Sequence, residues 1–135
     1  MSIAPSSSAA HGMFSLAGRT ALVTGASRGI GESIAHLLAA QGAHVVCTSR
    51  KLDACEAVAQ AIREAGGSAE ARAVHIGDAA AIEALFAAFD AEGKTVSLLV
   101  NNAAANPYFG PMVDMDLLAY EKTVEVNLRG YFWAT

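Results

Sequence analysis

The sequence predicts an α/β fold, a doubly wound parallel sheet, and three observations carry that prediction. Short apolar runs alternate with segments of helical periodicity, a single helical segment joins each run to the next, and a glycine cluster stands where the first run meets the first helix. Strands separated by single helices build βαβ units, which pack as a parallel sheet covered on both faces. No internal repeat beyond this βα period is present.

Thr20-Ala21-Leu22-Val23-Thr24 is a short apolar run ending at the glycine cluster and reads as a buried first strand. Ile30, Ile34, Leu37 and Leu38 fall at i, i+4, i+7 and i+8, the stripe of a first helix that Gly42 closes. Ala43 to Thr48 is the second strand, with Leu52, Cys55, Ala59 and Ile62 marking a second helix that Gly66-Gly67 ends. Residues 68–76 form a third strand by position more than by composition. Asp78 is the expected N-cap of a third helix with the stripe Ile82, Leu85, Phe86 and Phe89. Residues 96–100 make the fourth strand. A loop holding Pro107, Gly110 and Pro111 follows, then a helix over residues 116–126. The aromatic stretch 127–135 reads as the start of a further buried helix.

At 135 residues the chain amounts to one domain, and with 53% hydrophobic and 16% charged residues it is built to bury a core. The net charge of −4 without a basic stripe speaks against a nucleic-acid surface. No apolar run approaches the roughly 18 residues of a membrane span. Cys47 and Cys55 make neither a disulfide framework nor a metal-ligand cluster, so no metal site is expected. Cys47 reads as a buried small hydrophobe and Cys55 as a partly buried helix residue, which fits a reducing, cytoplasmic compartment. Residues 1–13 lack the charged and apolar regions of a secretory signal and are expected to be a disordered tail, with Met1 and Met13 both open as the start. Residues 14–135 are then the folded unit.

The chemistry-bearing motif is Thr24-Gly25-Ala26-Ser27-Arg28-Gly29-Ile30-Gly31. Glycines here permit a tight strand-to-helix turn, close backbone approach to a pyrophosphate and near packing of helix on strand. The helix start offers unpaired N–H groups and a positive dipole end to phosphates. Gly25, Ser27, Arg28, Gly29, Ile30 and Gly31 are therefore candidate dinucleotide contacts. At the end of the second strand, an acid would read the ribose 2′-hydroxyl of NAD; Ser49-Arg50-Lys51 stands there instead. A serine and cations suit a 2′-phosphate, which Arg50 and Arg28 can engage through forked donors, favouring NADP(H) over NAD(H). A solvated helix start accounts for Lys51 equally well. Asn101-Asn102-Ala103-Ala104 follows the fourth strand, where side chains face the ligand crevice; an Asn pair alone is also a turn signal.

Together these residues resemble the short-chain dehydrogenase/reductase family. The glycine pattern looks like its Thr-Gly-x-x-x-Gly-x-Gly, Asn101-Asn102-Ala103-Ala104 like its Asn-Asn-Ala-Gly, and Asn127 in Val126-Asn127-Leu128 like its structural and catalytic asparagine. The resemblance implies a Rossmann fold and an oxidoreductase using a nicotinamide cofactor on a carbonyl or alcohol substrate, with Asn102, Ala103 and Ala104 at the cofactor. His75-Ile76 replaces the Asp-Val that many members carry at the adenine; His75 either lines that pocket or is a core or turn histidine. With Ser49-Arg50-Lys51 and the stretch 103–110, this looks like the NADPH-dependent carbonyl and retinal reductase branch. Tyr108 and Phe109 are candidates for the substrate mouth, or pack locally on Pro107 and Pro111.

The family's remaining catalytic groups, a Ser and a Tyr-x-x-x-Lys, lie downstream of the asparagine, and none of Tyr108, Tyr120 and Tyr131 has a Lys four residues on. Two readings follow. One is a fragment of a complete reductase, expected to be unstable or aggregating and inactive alone, and a homo-oligomer when complete. The alternative is a non-catalytic nucleotide-binding module, or a half that needs a partner chain.

Overall fold

The computed structural model describes residues 14–135; the expected tail over residues 1–13, with Met13 as a possible start, lies outside the described residues. The chain runs β1 (Thr20–Thr24), α1 (Gly29–Ala40), β2 (His44–Ser49), α2 (Leu52–Glu64), β3 (Ser68–Ala73), α3 (Ala79–Ala91) and β4 (Leu98–Val100). A 3₁₀ turn (Met112–Asp114) leads to α4 (Leu117–Val124), a π-helical turn (Glu125–Arg129) and α5 (Gly130–Ala134). The four strands form one parallel sheet in the order β3-β2-β1-β4. The chain leaves β1 toward β2 and β3 on one side and returns to β4 on the other, so strand order reverses beside β1. In such sheets, ligands bind in the crevice at the carboxyl ends of the strands at that reversal.

Alternation along the strands sends side chains to two cores. Ala21, Val23, Val45 and Cys47 meet Ala35 and Ala39 of α1 and Cys55, Val58, Ala59 and Ile62 of α2. Leu22 and Val46 face the other way, onto Leu85 and Phe89 of α3. Helices therefore cover both faces, as a doubly wound sheet requires. The helical stretch beginning with α4 shares the α3 face: Val126 and Ala134 pack with Ile76 and Ile82. Among the described residues no helix is long and apolar enough to cross a membrane.

Several details differ from the sequence reading. In α1 the buried positions are Gly31, Ala35 and Ala39, whereas Ile30 is 74% and Leu37 66% exposed. Small residues let α1 lie close on the sheet, and the larger apolar ones are pushed to its rim. Cys55 is fully buried rather than partly so, and Leu52, in the first turn of α2, stays half exposed. β3 ends at Ala73 and alternates polar with small residues because it is an edge strand paired only with β2. β4 pairs over three residues only; Ser97 precedes it and donates its N–H to Thr20 O. Residues 127–135 do not begin a new buried helix. They continue α4, and what they bury is the small residues Gly130 and Ala134, in line with Val126 before them, leaving Phe132 75% exposed.

Candidate nucleotide-binding site

A cleft of about 800 Å³ opens at the carboxyl ends of β1, β2 and β4. Gly25, Ser27, Arg28, Gly29, Ile30, Gly31, Ser49, Arg50, His75, Ile76, Asn102, Ala103 and Ala104, scattered over 80 positions of sequence (25 to 104, inclusive), all line this one cavity. Its wall also contains Lys122 from α4 and the strap Ala105-Asn106-Pro107, but no Asp or Glu. Lys122 is paired with Glu125, which leaves Arg28 and Arg50 as the charges that attract an anion to this wall.

The glycine turn is built by close contact. Gly25 takes a φ of 67°, in the left-handed region, and a Cβ there would come within 2.8 Å of Ala103 Cα. A Cβ on Gly31 would collide with the Gly25 carbonyl oxygen and come within 2.6 Å of Asn102 Nδ2. The start of α1 thus packs directly against the turn that precedes it. No side chain caps α1 at Arg28, in contrast to α3 and α4, whose Asp78 and Asp116 accept the N–H of Ala81 and Ala119. The first-turn N–H groups of α1 therefore face the cleft with the positive end of the helix dipole.

Asn102 joins the two strands that flank the strand-order reversal. Its Nδ2 donates to Thr24 O at 3.0 Å and Gly25 O at 3.2 Å. Thr24 Oγ1 answers from the other side, accepting the N–H groups of Asn102 and Ala103, both at 3.0 Å, and donating to Val100 O at 3.2 Å. Thr24 heads the glycine motif, but nothing in the motif marks its hydroxyl for this role. Lys122 was also missed, and no local pattern marks it, because only the packing of α4 brings it to the cleft.

His75 has a turn contact and a place in the cleft wall. Its Nδ1 accepts the Gly77 N–H at 2.9 Å, a local turn contact, while the ring lines the cleft with Nε2 3.2 Å from Lys122 Nζ. Lys122 also donates to Glu125 Oε2 at 3.1 Å. Tyr108 and Phe109 do not line the cleft: the Tyr108 hydroxyl donates to Pro111 O at 3.1 Å, and Phe109 is fully solvated.

Asn127 stands outside the cleft wall, in the π-helical turn. Its Oδ1 accepts the Ala105 N–H at 2.8 Å and its Nδ2 donates to Ala105 O at 2.7 Å. The side-chain amide thus clips the strap that forms the cavity's far wall. Gly130 seats the same helix: a Cβ there would strike the Ile76 carbonyl oxygen.

Burial pushes the Cys47 thiol up to about 12 and raises that of Cys55, so both stay protonated. They are free and buried, and no group of metal ligands occurs among the described residues.

The comparisons with known proteins agree with this geometry. Residues 19–135 match the short chain dehydrogenase family. Human dehydrogenase/reductase SDR family member 4 is 37% identical over 114 residues, covering 84% of this chain and 41% of that protein. A short chain dehydrogenase/reductase of Macrophomina phaseolina is 36% identical over 118 residues, covering 87% of this chain and 67% of that one. Among solved structures, a putative gluconate dehydrogenase from Agrobacterium tumefaciens superposes with a TM-score of 0.86 at 35% identity, over 90% of this chain and 47% of that one. A metagenomic short-chain oxidoreductase in complex with NADP superposes with a TM-score of 0.82 at 38% identity, over 88% and 54%. The chain spans 41% of the human relative's length. Fold, glycine turn and sequence converge, and the chain belongs to the short-chain dehydrogenase family.

Proposed function

We propose that this chain forms the NADP(H)-binding half of an oxidoreductase that interconverts carbonyl and alcohol groups. One observation carries the reading: the cleft wall holds Arg28 and Arg50 and no carboxylate. A 2′-hydroxyl reader needs an acid at the end of β2, and Ser49 followed by Arg50 and Lys51 stands there instead. The uncapped start of α1 supplies N–H donors to the pyrophosphate, and Arg50, with Arg28 of the same cleft wall, supplies forked donors to the 2′-phosphate. His75 and Ile76 border the adenine, and Asn102 to Ala104 the ribose side. The similar metagenomic oxidoreductase was crystallised with NADP, which supports the same preference here.

When bound, the nicotinamide supplies or accepts the hydride. The chain's own part is to hold the dinucleotide and to fix the strap beside it, which Asn127 does through Ala105. Asn127 is thus a positioning residue through its amide. No Tyr in these 135 residues has a Lys four positions on, so the chain by itself is expected to bind NADPH without turning over a ketone or aldehyde.

The test is a titration with NADPH and NADH, following reduced-cofactor fluorescence and thermal stability. NADPH is expected to bind more tightly, and Arg50→Ala to weaken NADPH about tenfold or more while leaving NADH nearly unchanged, the scale of a lost charged hydrogen bond. Equal affinity of the wild-type chain for both coenzymes sinks the NADP(H) assignment.

A further inference from the structure

Two side chains from different elements bring donors to one point of the cleft wall. The backbone N–H of Gly77 can only donate, and it donates to His75 Nδ1 at 2.9 Å. That nitrogen therefore presents its lone pair, and the imidazole carries its proton on Nε2, the atom that lies 3.2 Å from Lys122 Nζ. The Lys122 ammonium has protons and no lone pair. One of them goes to Glu125 Oε2 at 3.1 Å, and Arg129 holds the other oxygen of that carboxylate at 3.4 Å. An imidazole N–H and an ammonium thus stand side by side, donor against donor, and the contact between them is not a hydrogen bond. An acceptor placed between them satisfies both. The cleft wall holds no Asp or Glu for that purpose, so the acceptor comes from what enters the cleft.

We propose that His75 and Lys122 together read the purine of the coenzyme by its acceptors and not by its amino group. This rests on the NADP(H) reading above, in which His75 borders the adenine. The ribose leaves the five-membered ring of the base toward the glycine turn, so the six-membered ring with its exocyclic amino group is the part that reaches His75. There the amino group donates and the ring nitrogens accept. A carboxylate at position 75 would take an amino proton. An imidazole with its proton on Nε2 cannot, and it donates instead to a ring nitrogen, with Lys122 beside it. The adenine amino group is then a third donor where two already meet. Hypoxanthine carries an oxo oxygen in place of that amino group, and the oxygen accepts from both side chains at once. The site is therefore better matched to an oxopurine than to adenine, a preference independent of the 2′-phosphate contacts of Arg28 and Arg50.

The experiment measures dissociation constants of the full chain for NADPH, NADH and the hypoxanthine analogue of NADPH, at mildly alkaline pH. The wild-type chain is expected to bind the analogue about three- to tenfold more tightly than NADPH, the scale of one hydrogen bond. Lys122→Met and His75→Asn should each bring that ratio close to unity. Neither removes a structural bond outright: Glu125 keeps Arg129, and the Asn side chain still offers the Gly77 N–H an acceptor. His75→Asp should reverse the preference in favour of NADPH. A long-range nitrogen–proton magnetic resonance spectrum of the wild-type chain should show His75 with Nδ1 bare and Nε2 protonated. Analogue binding equal to or weaker than that of NADPH overturns the proposal, and so does a proton on Nδ1. A chain that binds no nicotinamide coenzyme defeats the functional reading and the proposal with it. One that binds NADPH and NADH equally, yet prefers the analogue, loses only the 2′-phosphate reading.

Discussion

The glycines of the turn are fixed by distance as much as by dihedral angle. Gly31 is helical and needs no special φ, yet it admits no Cβ because the Gly25 carbonyl occupies that space. Gly31→Ala should therefore cost about 1–3 kcal/mol through overpacking and displace the turn. A thermal melt would show the lost stability, and the NADPH titration a loss of binding beyond what the melt explains. Asn102→Ala leaves the Thr24 and Gly25 carbonyls without their shared donor, at about 1–3 kcal/mol if they stay dry. Denaturant unfolding at matched slope would read it. Much at this scale was legible in the sequence, because a glycine motif followed by a helix has few physical solutions. The place of Lys122 in the cleft and the clip of Asn127 on Ala105 were not, since each depends on which atoms the folded chain brings within 3.5 Å. His75 could not be resolved into turn or pocket residue from sequence because its ring serves the Gly77 N–H and the cleft wall at once.

At the scale of elements, periodicity found the strands and helices but erred on which face some of them bury. In α1 the rule that large apolar residues point inward failed at Ile30 and Leu37, because an alanine-rich helix can lie closer to a sheet on its small face. The same preference governs α5, where Gly130 rests on the Ile76 carbonyl. Gly130→Ala is expected to lower the melting temperature by several degrees, about 1–3 kcal/mol of overpacking, and to weaken NADPH binding by shifting Ile76 at the cleft. Asn127→Ala breaks both bonds to Ala105 and should raise hydrogen exchange of the Ala105 amide while leaving the sheet amides of β1 protected. Protection of Ala105 at the wild-type level would show that the strap is held by other contacts.

For the whole molecule, charge and exposed apolar surface set the solution behaviour. On the edge strand β3, Glu70 accepts from Lys94 at 2.7 Å and from Arg72 at 3.2 Å, and both cations also hold Glu92. Burial alone would raise the Glu70 carboxyl, but the Lys94 and Arg72 hydrogen bonds outweigh it and hold the carboxyl below its ordinary 4.5. A carboxyl lowered in the folded state stabilises fully above its unfolded value and loses that stabilisation as pH falls through the folded one. Midpoint stability should thus decline below about pH 4.5 and decline less steeply in Glu70→Gln, as urea unfolding over pH 3–6 would measure. Phe109, Met112, Val113, Leu117, Leu118 and Phe132 are all exposed, an apolar surface that should drive concentration-dependent association, readable by light scattering. The single π-helical turn has a further consequence. It holds one residue more per turn than an α-helix, and with it in place Val126 and Ala134 pack on Ile76 and Ile82 while Gly130 rests on the Ile76 carbonyl. The wide turn is therefore slack, like a spare link in a watch bracelet: a one-residue deletion within 125–129 is expected to be taken up by tightening to α-helical winding, whereas the same deletion within α3, which has no such turn, would swing its packed face by roughly 100°.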